Sequence, residues 1–135
     1  MRTEIQPWPI GIFVVYAIGL IVLSAFKSAE IGLAQIHALE TWLGGDKSMH
    51  FTLSAILAVL ACFASERVLD LAPTTRTIGV CFVLLSALTL DEALQYVLAS
   101  RRFELLDLAF GSLGLLAGVL GYLPVKLVWS KYKLT

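Results

Sequence analysis

The stretch "GGDKSMHFTLSAILAVLACF", Gly44 to Phe63, decides how this chain is read. An aspartate, a lysine and a histidine stand at the mouth of a run that is otherwise almost wholly apolar. Asp46 and His50 are four residues apart, so on a helix they share one face. A helix that carries ionisable groups on its first turns and then turns apolar has two environments, one wet and one dry.

The rest of the composition says what the dry environment is. Of the 135 residues 59% are hydrophobic and only 15% charged, against the roughly 25% charged residues of a soluble domain. Mean hydropathy is +0.86, and the apolar residues fall in long uncharged runs, the pattern of a membrane protein. Net charge is zero, and no basic block interleaved with aromatics points to nucleic acid. Cys62 and Cys81 both sit inside apolar runs and read as small buried hydrophobes rather than as a disulfide or metal pair.

Four segments, 9–26, 46–64, 77–99 and 107–129, are apolar enough to cross a bilayer. A spanning helix needs about 20 residues. The second segment reaches that range only if it begins at Asp46, which carries its polar first turn toward the membrane. Runs of this length without strand alternation predict helices, because every backbone group in lipid must be paired within the protein. The expected fold is therefore all-α: one domain over 1–135 with four transmembrane helices. The first segment is longer than a signal-peptide core and "AFKSAE" offers no small-residue cleavage site, so it reads as a retained helix with Trp8 at the interface.

Between the first two spans, "KSAEIGLAQIHALETWLGGDK" places Leu33, Ile36, Leu39 and Leu43 at helical spacing, with Glu30, His37, Glu40 and Thr41 mostly opposite. A short interfacial helix stopped by Gly44-Gly45 is expected there. With four spans both termini share a side. That side holds Arg2, Arg67, Arg76, Lys126, Lys131 and Lys133, and the other holds Lys27, Lys47, Arg101 and Arg102. Six cations against four favour cytoplasmic termini. Glu66, Arg67, Asp70 and Arg76 read as a solvated connection on that cytoplasmic side, and His37 as a surface residue.

At the opposite end, polar residues from three segments gather. "LTLDEALQY" brings Asp91, Glu92 and Gln95, and "SRRFELLD" brings Arg101, Arg102, Glu104 and Asp107, close to Asp46, Lys47 and His50. A charge at the bilayer centre costs at least about 2.5–3.5 kcal/mol, and ionisable residues in membrane segments are functional candidates for that reason. His50 can serve as a general base, a phosphate contact, a metal ligand or a polar tie between helices. One histidine among carboxylates is a weak zinc signature, since open zinc sites usually use more nitrogen or sulfur, and no metal is assigned. Arg101 has the planar donor fork that suits phosphate, or it snorkels. Asp107 either joins the site or caps the fourth helix. No Ser/His/Asp order, cysteine nucleophile near His50 or phosphate-binding glycine loop is present, so enzyme status and cofactor stay open.

The order "DKSMHF", "DEALQ" and "SRRFELLDLAFGSLG" resembles the VanZ-like family of small bacterial membrane proteins. The resemblance falls on Asp46, Lys47, His50 and Phe51, on Glu92 and Gln95, on Arg101, Glu104 and Asp107, and on Gly114 and Gly118. It covers the chain from about Gly45 to Tyr122. It implies a multi-pass protein of the bacterial cytoplasmic membrane, in a family named for teicoplanin resistance. This chain departs from the family where Gly111 replaces a frequent asparagine, Ala99-Ser100 replaces Pro-Gly, and Ser54 or Ala55 replaces a tyrosine.

The working expectation is an outward-facing pocket for an anionic lipid or a lipid-linked cell-envelope precursor. In an enzyme version, a hydrolase or transferase on lipid phosphate, His50 or Glu92 is the acid/base and Asp46 orients His50. Arg101, Gln95, Lys47 and Asp107 bind the substrate. The alternatives are a non-catalytic binding module of envelope assembly and a small proton-coupled transporter. Gly114-x-x-x-Gly118 permits close helix contact, either within the bundle or across a homodimer.

Overall fold

The computed structural model describes residues 6–99 and 102–132. Five helices follow one another: α1 (Trp8–Ser28), α2 (Leu33–Trp42), α3 (Asp46–Val68), α4 (Pro73–Leu98) and α5 (Leu105–Tyr132). No strand occurs among the described residues. α1, α3, α4 and α5 are long and apolar enough to cross a membrane, with mean hydropathies of 2.4, 1.7, 1.7 and 1.8 over their most apolar windows. The expected all-α architecture, with a short helix between the first two spans, is the one found.

Helix ends differ from the hydropathy reading in a consistent way. α3 runs on to Val68, past the apolar limit at Ala64, and α4 begins at Pro73 rather than Thr77. Hydropathy marks where hydrocarbon ends, whereas the i→i−4 hydrogen-bond ladder continues through Glu66 and Arg67 into the interface. Proline at the first turn of α4 costs that helix nothing, because its missing N–H would have had no partner within the helix.

Much of the surface is apolar. Val15, Ile18 and Ile21 of α1, Phe82, Val83 and Val97 of α4, and Leu120 and Leu127 of α5 are all exposed. Side chains of this kind around most of a bundle fit a hydrocarbon solvent and not water. Lipid tails are as apolar as leucine, so nothing resembling the hydrophobic effect drives these helices together. Close contact between small residues does.

That contact is the α3–α5 seam, the most extensive packing in the molecule. α3 turns Ser54, Leu57, Ala58, Ala61 and Cys62 inward, and α5 answers with Gly111, Gly114, Leu115, Gly118 and Val119. A Cβ on Gly114 would run into the Phe51 carbonyl, and one on Gly118 into the Ala55 carbonyl. The Gly114/Gly118 face is thus covered by α3 of the same chain. Of the two contacts that the Gly114-x-x-x-Gly118 spacing permits, the one within the bundle is made here. Cys62 is buried at the seam and Cys81 half-buried, both as free thiols.

A correction concerns the far end of the bundle. Glu66 and Arg76 are not part of a solvated connection. The Tyr122 hydroxyl and Lys126 Nζ both donate to Glu66 Oε1, and Arg76, itself buried, stands 3.8 Å from the same oxygen. Phe63 meets the Tyr122 ring edge-on, with centroids 4.9 Å apart. The cluster ties α3, α4 and α5 where the sequence suggested only a loop. Asp70, by contrast, is exposed as expected.

Candidate functional site

At the other end, the chain leaves α1 through Glu30 and Gly32, both with left-handed backbone (φ 58° and 66°). This reversal folds α2 back against the start of α3. α2 buries Ile36 and Glu40, four residues apart, so its inward face differs from the expected leucine stripe. Glu40 is drawn in because Lys27, at the end of α1, donates to its carboxylate. Trp42 is 81% exposed and suits an interfacial anchor. Gly44 and Gly45 then end α2 and open α3, at φ 95° and 116°, values that side-chain-bearing residues rarely adopt.

The first turns of α3 hold the ionic core of the site. Lys27 Nζ also donates to Asp46 Oδ1 at 2.9 Å, so one ammonium group bridges α1, α2 and α3. Lys47 Nζ donates to Asp107, to Glu104 and, at 3.4 Å, to Asp46 Oδ2. Asp107 is 5% exposed, although it lies in the first turn of α5. Two lysines therefore stitch four carboxylates from α2, α3, α5 and the loop before α5. Sequence reasoning found Lys47 and Asp107 but gave Lys27 only a topological role. It also placed Glu40 on the polar face of α2. The signal for both was the fold-back of α2, which no local pattern announces.

His50 stands among these groups without bonding to them. Its Nε2 lies 3.6 Å from Asp46 Oδ1 and 3.5 Å from Asp107 Oδ2, is fully buried and has no hydrogen-bond partner. Asp46, expected to orient the imidazole, instead has its oxygens engaged by Lys27 and Lys47.

The α4 residues divide between two places. Glu92 is buried and accepts the Glu104 N–H at 2.9 Å, which holds the loop before α5 onto α4. Gln95 Nε2 donates to Ser24 Oγ at 2.9 Å and to Asp91 Oδ2 at 2.7 Å, while the Ser24 hydroxyl donates to Asp91 Oδ1 at 2.9 Å. This Ser24–Asp91–Gln95 triangle joins α1 to α4, a contact the sequence did not suggest. Arg101 lies outside the described residues, and Arg102 is exposed.

Between α1, α3 and α4 is a cleft of about 110 Å³. Leu20, Leu23, Leu53 and Leu88 form its apolar wall, and Ser24, Lys27, His50, Asp91 and Gln95 its polar end. The structure thus brings His50 and Gln95 to one cleft, and Asp46, Lys47, His50 and Asp107 to one ionic cluster. His50 belongs to both.

Two carboxylates outside the spans report on the electrostatics. Burial pushes the Glu40 carboxyl up, but hydrogen bonds from Lys27 and His37 outweigh it and leave it below its ordinary value of 4.5. The Lys47 ammonium beside Glu104 likewise holds that carboxyl below the usual range. A carboxyl with a lowered folded pKa stabilises the fold above its unfolded value, and that contribution is lost as pH falls through the folded value. Detergent-solubilised protein should therefore lose stability as pH drops below about 4.5, and Glu40→Gln should flatten that acid limb. An unchanged slope would mean that the Lys27–Glu40 pair contributes nothing.

Comparison with known proteins finds no family model, no curated protein and no solved structure that matches the chain.

Proposed function

We propose that this chain is a VanZ-like protein of the bacterial cytoplasmic membrane, with both termini in the cytoplasm. In this reading its outward polar end binds the headgroup of an anionic lipid or lipid-linked envelope precursor. The observation that carries the proposal is the cleft between α1, α3 and α4. It has leucines along one wall and hydrogen-bonding groups at one end, the division an amphipathic lipid needs. α1 packs mainly on α3, and its link to α4 at this level is the Ser24 triangle, so the gap between α1 and α4 is the side entrance from the bilayer.

The cleft lining itself is charge-balanced, Lys27 against Asp91. Preference for an anionic headgroup then falls to Arg101 and Arg102 in the loop after α4, whose guanidinium forks suit phosphate. A Cβ on Gly111 would stand 3.4 Å from Ser54 Oγ, so these two small residues face each other between α3 and α5. A hydrolase or transferase on lipid phosphate is the second reading, favoured by the unbonded His50 nitrogen beside the cleft. Glu92 enters that reading as a loop-positioning group, since its observed partner is the Glu104 amide.

Native mass spectrometry of protein released gently from bacterial membranes tests the binding. Wild type should retain an anionic lipid, Arg101→Ala should lose the anionic preference, and Leu23→Trp should lose lipid altogether by filling the apolar wall. Equal retention by all three proteins would reject the cleft as the binding site.

A further inference from the structure

A buried imidazole nitrogen without a partner is destabilising, because it has given up water and gained nothing in return. His50 Nε2 is in that state, with carboxylate oxygens of Asp107 and Asp46 at 3.5 and 3.6 Å. These distances are too long for hydrogen bonds. They are close to those between two ligand atoms on one metal ion. With metal–ligand lengths of about 2.0–2.2 Å, neighbouring atoms of a tetrahedral shell stand about 3.4 Å apart. One ligand atom each from Asp46, His50 and Asp107 lie within 4.8 Å of one another.

We propose that Asp46, His50 and Asp107 bind one divalent transition-metal ion of the zinc class. An imidazole with two carboxylates suits zinc, manganese or iron(II) better than calcium or magnesium, which favour oxygen alone. Charge supports a dication. Four carboxylates (Glu40, Asp46, Glu104 and Asp107) share two ammonium groups (Lys27 and Lys47), which leaves two negative charges over among the described residues of the cluster. The lysines hold the carboxylates in place around His50, the supporting role that outer partners of metal ligands commonly have. Three protein ligands also leave a coordination position open, as in zinc sites that act on a substrate. Through His50 the ion adjoins the cleft, where it would meet a headgroup phosphate. Its part in any chemistry there rests on the headgroup reading, but its binding does not.

The test is a Co²⁺ titration of the full chain, carried on a histidine-free affinity tag, in nanodiscs of phosphatidylcholine alone. Cobalt reports its ligands through visible d–d absorption, and Zn²⁺ should displace it. One equivalent should bind, and His50→Ala and the more conservative His50→Gln should each weaken it at least about tenfold. His37→Ala, which removes the chain's other histidine, should leave the spectrum intact. Circular dichroism of each variant verifies that it is folded. Absence of cobalt absorption in the wild type, or equal affinity in folded His50→Gln, would overturn the site. Because no anionic lipid is present, failure here leaves lipid retention standing. Cobalt binding by a protein that retains no lipid would reject the headgroup reading alone.

Discussion

Lys47→Ala should be the most damaging single side-chain removal at the polar end of the bundle. Its ammonium is the cation that meets Asp107, whose side chain is 6% exposed, while Lys47 itself is 31% exposed. Stripping a buried charge of its partner costs about 3–5 kcal/mol. Water reaching this partly open site relieves some of that, so we expect a loss of about 2–3 kcal/mol, read by reversible unfolding in mixed micelles. The effect should be asymmetric. Asp107→Asn leaves Lys47 its contacts to Glu104 and Asp46 at the exposed rim, where such pairs are worth little, and should cost less. The double variant should resemble Asp107→Asn rather than the sum of the two. A Lys47→Ala protein as stable as wild type would show that Asp107 is not held as a buried anion.

The second large effect belongs to the α3–α5 seam. Gly114→Ala and Gly118→Ala each place a methyl group against a backbone carbonyl of α3, which cannot rotate aside as a side chain can. The helices must separate, loosening small-residue contacts along their length, and the cost should lie near the upper end of the about 1–3 kcal/mol for overpacking. Gly111→Ala meets the Leu88 side chain at 3.2 Å, a flexible neighbour, and should cost less. Gly121→Ala meets nothing within 4 Å and should be neutral to within about 1 kcal/mol. The ranking matters more than any single value. If Gly121→Ala proved as harmful as Gly114→Ala, close approach to α3 would not be the cause of either loss, since helix propensity itself favours alanine over glycine.

Part of the candidate site was legible in the chain. Asp46 and His50 share a face because they are four residues apart, and both stand at a helix start because Gly44-Gly45 stops what precedes them. Grouping Asp107 with them followed from counting spans, since an even number of crossings returns the starts of α3 and α5 to one side. Other parts were not legible. Glu92 and Gln95 are three residues apart, yet they serve different neighbours: one the loop before α5, the other Ser24 across the bundle. A rotation of α4 by a fraction of a turn would exchange those neighbours, and sequence spacing carries no measure of that rotation. Lys27 looked like a flanking charge because its partners, Glu40 and Asp46, come to it only when α2 folds back.

The sequence by itself determined that this chain forms four membrane-length helices and one short one, and which ends carry charge. It could do so because in hydrocarbon a backbone must close its hydrogen bonds locally, so length and composition suffice. Only the tertiary structure decided which charges meet. The contact of Gly114 and Gly118 with α3 sets how α5 is turned, and that rotation carries Asp107 to Lys47 and His50, and Tyr122 to Glu66. Such pairings follow from the rotation and distance of whole helices, quantities that residues far apart in the chain fix together.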